Sequence, residues 1–278
     1  MISVYITTRN RQEMLKRAVK SVLQQSLPPY EIIIVDDAST DGTAEYVREL
    51  KKNFSSVIYI KNEKCEGAQS CRNKALNVAT GFYITGLDDD DEFLPNRLEK
   101  LHQAFINESE LSLVCDHIKI DTGASSVYPN RFVGKISIEK ALDFNIIGPQ
   151  VFTKREYLLS IGGFDVDFPA WQDYDTWIRL MDKFGQCLKL SGYSYIQHTA
   201  HDKGRISISG KHHQALELFL LKHSKKMSRG NIASLIALST MLSGKRNSIS
   251  TIVNLIIFGR IKRAMSVLKA NIFTGRKI

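Results

Sequence analysis

The apolar positions in the first third of the chain fall into short β-branched runs separated by longer stretches of helical period. Residues 2–7, 31–35, 57–60 and 82–87 are near-continuous runs of Ile, Val, Tyr and Leu and predict buried strands. Between them, residues 11–26 carry Leu15, Val19, Val22 and Leu23 at helical spacing. Residues 43–52 follow a Ser39-Thr40-Asp41-Gly42 turn rich in capping groups, and 69–79 predict a third helix. Strands recur about every 25 residues with a helix between each pair, the rhythm of right-handed βαβ units and a mostly parallel sheet.

Ligands of such sheets gather beyond the carboxyl ends of the strands. The polar residues that follow the strands are therefore the informative ones: 7–11 after the first, Asp36-Asp37 after the second, and Asp88-Asp89-Asp90-Asp91 after the fourth. The second half alternates less regularly. Pro95 opens a predicted helix at 96–106 as a favourable first-turn proline. Strands are predicted at 111–115 and 151–153, and helices at 154–161 and 174–184 around a Gly162-Gly163 turn. From His212 onward the pattern is consecutive helices, with a soft boundary near residue 205.

Charge sharpens that boundary. The net charge is +9, yet residues 203–278 hold 15 Lys and Arg against a single acid, Glu217, which leaves the remainder mildly acidic. A basic tail suits an anionic membrane surface, nucleic acid, or simply a solvated helical face. Nucleic acid is disfavoured because the tail has no Trp or Tyr platform and only three Phe. Its longest apolar stretches, 232–242 and 249–258, fall short of the roughly 20 residues that span a bilayer. The four cysteines (Cys65, Cys71, Cys115, Cys187) form no CxxC pair, as expected of free thiols in a reducing compartment. The opening MISVYITTRNR lacks the layout of a signal peptide, so a cytoplasmic location is expected.

Four adjacent aspartates repel one another unless cations or donors offset them. In an extended segment alternate side chains share a face, so one same-side pair could serve a divalent cation and a ribose hydroxyl together. Hard oxygen ligands suit Mg²⁺ or Mn²⁺, and contiguous aspartates exclude an EF-hand. The other reading is a solvated acidic loop ahead of Pro95.

ISVYITTRNR, EIIIVDDASTDGT and EGAQSCRNKALNVATGFYITGLDDDDEFLPNRL, in that order, resemble the nucleotide-binding half of family 2 inverting glycosyltransferases. The likeness covers 1–105 in detail and resumes at IGGFDVDFPAWQDYDTWIRL. It implies a GT-A, Rossmann-like α/β fold: a catalytic domain at 1–205, with nucleotide-sugar binding in 1–105 and the acceptor part in 106–205, then a basic, amphipathic helical region at 206–278. For matching positions it implies that Thr7 and Arg9 lie along the nucleotide, Asp37 meets uracil, Arg72 contacts base or diphosphate, Asp88 reaches the ribose, and Asp90 binds Mn²⁺ or Mg²⁺ with Asp89 nearby. The other reading of Arg72 is a helix-surface residue, and of Asp36 a turn cap.

The resemblance also puts the catalytic base at Asp173, with Gln172 replacing the preceding acid of the common pattern. Asp173 could instead cap its helix, and Asp175 is the second candidate base. Trp171 and Trp177 could wall a sugar site or pack in the core. His198 is a candidate further metal ligand, with His201 beside it; His212 and His213 look like helix-surface residues. Without a QxxRW-like segment or transmembrane array, a single-addition enzyme is expected. It would transfer a hexose or N-acetylhexosamine from a UDP-sugar to a lipid-diphosphate-linked saccharide, peripherally on the inner face of the cytoplasmic membrane, in O-antigen, capsule or lipooligosaccharide assembly. A nucleotidyltransferase is the competing enzyme class, but TTRNRQEM lacks the Gly-rich phosphate loop it would need.

Overall fold

The computed structural model describes residues 1–127, 132–200 and 211–273; His201 and the expected boundary near 205 lie outside the described residues. The first half follows the predicted order: β1 (Ile2–Thr8), α1 (Gln12–Leu23), β2 (Glu31–Asp36), α2 (Thr43–Asn53), β3 (Val57–Lys61), α3 (Ala68–Val78) and β4 (Tyr83–Asp88). A two-residue strand β5 (Glu92–Phe93) precedes α4 (Arg97–Asn107). Then come β6 (Leu111–Asp121), β7 (Ser126–Val127), β8 (Gly134–Ile136), α5 (Ile138–Ala141), β9 (Phe152–Lys154), α6 (Arg155–Ser160), α7 (Gln172–Phe184) and β10 (Gln186–His198). Four helices close the described chain: α8 (His212–His223), α9 (Arg229–Leu242), α10 (Ile249–Ile257) and α11 (Ile261–Phe273).

One sheet runs in the order β3-β2-β1-β4-β9-β6-β10-β5. The β3-β2-β1-β4 half is parallel throughout. Because β2 and β4 flank β1 on opposite sides, successive crossovers diverge there and open a crevice at the carboxyl edge. The register places Thr7 opposite both Val35 and Asp88, so three polar strand ends meet at one rim. β9 joins antiparallel to β4, and β6 pairs parallel with β10.

Alternation along the strands loads both faces. Ile2, Val4, Ile6, Ile32 and Ile34 pack with α1, α2 and α4, whereas Tyr5, Ile33, Val35 and Ile84 face α3, α6 and α7. Leu216 and Phe219 of α8 and Leu235 of α9 belong to this second layer, so packing continues past the change in composition. Ala233 and Ala237 of α9 form a separate small cluster with Ile252, Leu255, Ala264 and Val267. His212, expected on a helix surface, is buried, its ring 6.4 Å from that of Trp171. His213 is exposed.

Gly86 of β4 shows how tightly the rim is built. A Cβ there would lie 2.2 Å from Gln150 Oε1 and 2.3 Å from the Tyr5 ring, and Gln150 in turn donates to Asp88. Gly86→Ala is expected to cost about 1–3 kcal/mol through overpacking, read as a lower urea midpoint. A midpoint equal to wild type would show that the contact is loose.

Candidate active site

The four aspartates are resolved one by one. Asp88, the last residue of β4, accepts on Oδ1 from Arg72 Nη2 at 2.9 Å and from Gln150 Nε2 at 2.9 Å. Its other oxygen meets no donor among the described residues. Asp89 turns the opposite way and takes Thr8 Oγ1 at 2.8 Å and Arg11 Nη1 at 2.9 Å. Asp90 shares Arg11 at 3.2 Å, and Arg17 donates to its backbone carbonyl. Asp91 is fully buried and accepts from Tyr195 Oη at 2.7 Å and from the His198 backbone N–H at 3.0 Å. Burial raises the Asp89 carboxyl to about 6 against the pull of Arg11. Burial, aided by the charges of Asp88 and Asp90, pushes Asp91 well above the carboxylate range.

Asp37 lies across β1 from this cluster on the same rim. It accepts from Asn62 Nδ2 at 2.9 Å, the Glu66 N–H at 2.8 Å, the Gly67 N–H at 2.9 Å and Cys65 Sγ at 3.1 Å. Burial alone would raise its pKa, but these donors outweigh it and hold Asp37 at about 2. Arg9 Nη1 reaches Cys65 Sγ at 2.8 Å, so it stands over the same loop. Thr7 lies between the Asp37 and Asp88 strand ends. Asp36 holds the turn through the Ser39 N–H at 2.8 Å and Tyr59 Oη at 2.6 Å.

Arg72 is not a helix-surface residue. It is buried, its guanidinium lies 5.4 Å from the centre of the Phe164 ring, and its Nε and Nη1 are buried with no hydrogen-bond partner among the described residues. A buried cation with unspent donors beside a carboxylate oxygen is a ready seat for an anionic ligand.

Asp173 faces the same cleft. It sits in the first turn of α7, whose N-cap is Trp171 in a left-handed conformation (φ 63°), so Asp173 itself does not cap the helix. Burial raises its pKa to about 6, opposed by the Tyr174 N–H and by the charge of Arg72, with Asp88 adding to the rise. Asn145 Nδ2 donates to Asp173 Oδ2 at 3.0 Å, while Asn145 Oδ1 accepts the Ile147 and Gly148 N–H groups at 3.2 and 3.1 Å. Those two donors fix the orientation of the amide, so its NH₂ must point at Asp173. Asn145 lies outside the predicted elements, and no sequence pattern marks it.

One expectation is corrected. Asp175, the second candidate base, is wholly buried and bound to Arg179 Nε at 2.8 Å, His223 Nε2 at 2.8 Å and Lys222 Nζ at 3.2 Å. It fastens α7 to α8. Trp177 is core, with Nε1 donating to the Gly148 carbonyl at 2.9 Å, and Trp171 packs edge-on to Phe219 and Tyr174. The His198 ring sits between Glu92 Oε2, hydrogen-bonded to Nε2 at 2.8 Å, and Asp121 Oδ2, 3.4 Å from Nδ1.

Among the described residues no three His, Cys, Asp or Glu side chains converge as a metal cage. The donor set nonetheless fits a hard cation. Mg²⁺ and Mn²⁺ sites of nucleotide enzymes use one or two carboxylates and take their other ligands from phosphate and water, and Asp90 beside Asp88 offers that.

A carboxylate cluster at the switch point, a buried arginine and a facing carboxylate of raised pKa define a GT-A glycosyltransferase that uses a nucleotide-sugar. The sequence profile of glycosyl transferase family 2 matches residues 3–162, and the chain belongs to that family. It is 34% identical to WcaA of Escherichia coli K12, a glycosyl transferase provisionally assigned to colanic acid biosynthesis, over 95% of each chain. It is 30% identical to WfaP of Escherichia coli, a UDP-Glc:α-D-GlcNAc-diphosphoundecaprenol β-1,3-glucosyltransferase, over 57% of this chain and 68% of that one. Among solved structures, S. aureus TarS 1–349 in complex with UDP-GlcNAc superposes with a TM-score of 0.70 at 16% identity, covering 98% of this chain and 88% of that one. The mannosyltransferase PcManGT of Pyrobaculum calidifontis, solved with GDP-Man and Mn²⁺, superposes at 0.59 and 15% identity, covering 99% and 88%. At these identities the structural likeness is one of fold.

Asp173→Asn and Asp175→Asn separate the two carboxylates of α7. Asp173→Asn is expected to keep the melting temperature and reduce kcat by about 10²–10⁴-fold, the usual worth of a general base. Asp175→Asn is expected to cost about 3 kcal/mol, because it takes the carboxylate from the largely buried Arg179, with kcat of the folded fraction retained. The reverse pattern would exchange the two roles.

Proposed function

We propose that the protein is a metal-dependent inverting glycosyltransferase. It moves a hexose or N-acetylhexosamine from a UDP-sugar to a hydroxyl of a lipid-diphosphate-linked saccharide in bacterial surface polysaccharide synthesis. The observation that supports this is the grouping of Asp37, Asp88 and Asp90 at neighbouring strand ends, with Arg72 of α3 bound to Asp88 and Asp173 close enough to feel the charges of both. WfaP's glucosyl donor and diphosphoundecaprenol acceptor support the donor and acceptor classes. A nucleotidyltransferase or a nucleic-acid-binding role has no such support.

Asp37 is the group for the pyrimidine; held ionised by the 62–67 loop, it is a pure acceptor suited to a ring N–H. Thr7 and Arg9 flank the nucleotide on β1. The free oxygen of Asp88 suits the ribose, and the unspent donors of Arg72 suit the diphosphate. Asp90, steadied by Arg11 with Asp89 alongside, would hold Mn²⁺ or Mg²⁺, which when bound offsets charge developing on the leaving diphosphate. His198 would join it only by leaving Glu92 and Asp121. In a single displacement with inversion, Asp173 takes the proton of the attacking hydroxyl on the face opposite the leaving group. Its raised pKa matches a base working near neutrality, and Asn145 keeps the accepting oxygen aimed.

No described helix is long and apolar enough to cross a membrane. We place the enzyme peripherally on the cytoplasmic face of the membrane, where a lipid-linked acceptor would be reached.

Three outcomes test this reading. A UDP-sugar with Mn²⁺ should raise the melting temperature by mass action, and Asp90→Ala should abolish the metal-dependent part; equal stabilisation without metal would remove the ion from the proposal. Activity should climb with pH through about 6 as Asp173 loses its proton, then level off. Asn145→Ala withdraws a donor from the carboxylate and so raises its pKa. The acid limb should therefore move to higher pH, and an unmoved limb would show that Asn145 does not act on the base.

A further inference from the structure

The α10–α11 hairpin carries an apolar surface that no other part of the described chain covers. On α10, Ile249, Val253 and Ile256 occupy positions i, i+4 and i+7 and are 81%, 44% and 50% exposed. On α11, Ile261, Met265 and Leu268 repeat the same spacing at 58%, 55% and 45% exposed. Isolated exposed leucines and isoleucines are ordinary, but two matched rows are not.

The rows face one way. Each lies beside a buried pair with identical offsets, Ile252 and Leu255 on α10, Ala264 and Val267 on α11. The two helices pack on each other and are joined by the short 258–260 turn. In an antiparallel pair, rows displaced from the shared seam in the same rotational sense open on the same side.

Charge selects the occupant. No Asp or Glu occurs between residues 218 and 273. Lys245, Arg246, Lys262 and Lys269 are exposed and make no ion pair among the described residues. A second copy docked isologously on this surface would set these cations against their own kind. An anionic bilayer answers both features: the apolar rows enter the acyl boundary and the lysines meet the headgroups.

We propose that the α10–α11 hairpin is the membrane-docking face of this enzyme and takes an anionic lipid surface as its partner. The proposal deepens the functional reading, on which it rests only for the reason a bilayer must be reached. The test is sedimentation of the full chain with vesicles, run without donor or acceptor so that failure of vesicle binding and failure of sugar transfer register separately. Wild type should pellet with vesicles containing phosphatidylglycerol and stay in solution with pure phosphatidylcholine. Ile256→Glu/Met265→Glu and, separately, Lys262→Glu/Lys269→Glu should each weaken binding tenfold or more, with melting temperature and UDP-sugar binding unchanged. Wild type remaining in the supernatant with anionic vesicles would overturn the proposal, as would an apolar-row variant that binds like wild type. A dimer by light scattering that Ile256→Glu/Met265→Glu converts to monomer, with vesicle binding intact, would assign the surface to a second copy instead.

Discussion

Like-charge repulsion at the end of β4 is the constraint from which the site follows. Four consecutive carboxylates can coexist only if each is answered separately, and the fold does this by sending them in different directions. Asp88 meets Arg72 and Gln150, Asp89 meets Thr8 and Arg11, Asp90 shares Arg11, and Asp91 is buried under Tyr195 and the His198 amide. The partners come from β1, the N-cap of α1, α3, the segment before β9, and β10. The acidic run therefore acts as a hub tying both halves of the sheet together. Arg97 extends it, since this buried cation pairs with Asp116 at 2.8 Å and lies 5.1 Å from the centre of the Tyr195 ring, whose hydroxyl holds Asp91.

The two carboxylates proposed for recognition and for proton transfer are tuned in opposite senses by the same physics. Asp37 and Asp173 are both removed from water, which favours the neutral acid. Four donors overturn that for Asp37 and fix it as a permanent acceptor. Asp173 has weaker compensation, so it stays near the neutral range, where a proton can be both taken and released. Recognition and proton transfer are thereby separated by hydrogen-bond count.

The parallel half was legible because each strand there is an apolar run ending in polar residues, and the run of aspartates sits where such sheets bind ligands. In the second half the helices were legible and the long strands were not. β6 reads as ending at Cys115 because Asp116 and His117 follow, yet Asp116 is buried, neutralised by Arg97 and Lys100. β10 reads poorly because Gly192 (φ 69°) and three register irregularities against β6 break its alternation. The role of Asp173 came from resemblance; what orients it did not, since Asn145 acts from an irregular segment. Asp175 misled because a carboxylate two residues from the proposed base looks like a spare until its partners Arg179, Lys222 and His223 on α7 and α8 are seen.

That triple clasp on Asp175 has an evolutionary corollary. The helix bearing the base and the first helix of the basic region share a buried charge, so neither can drift, be swapped between relatives or be trimmed away without the other. A shortened protein ending before α8 would leave Asp175 with Arg179 alone, without His223 and Lys222. Selection on acceptor chemistry and selection on the tail are thus mechanically linked, and chimaeras of this fold would have to exchange α7 and α8 as a unit.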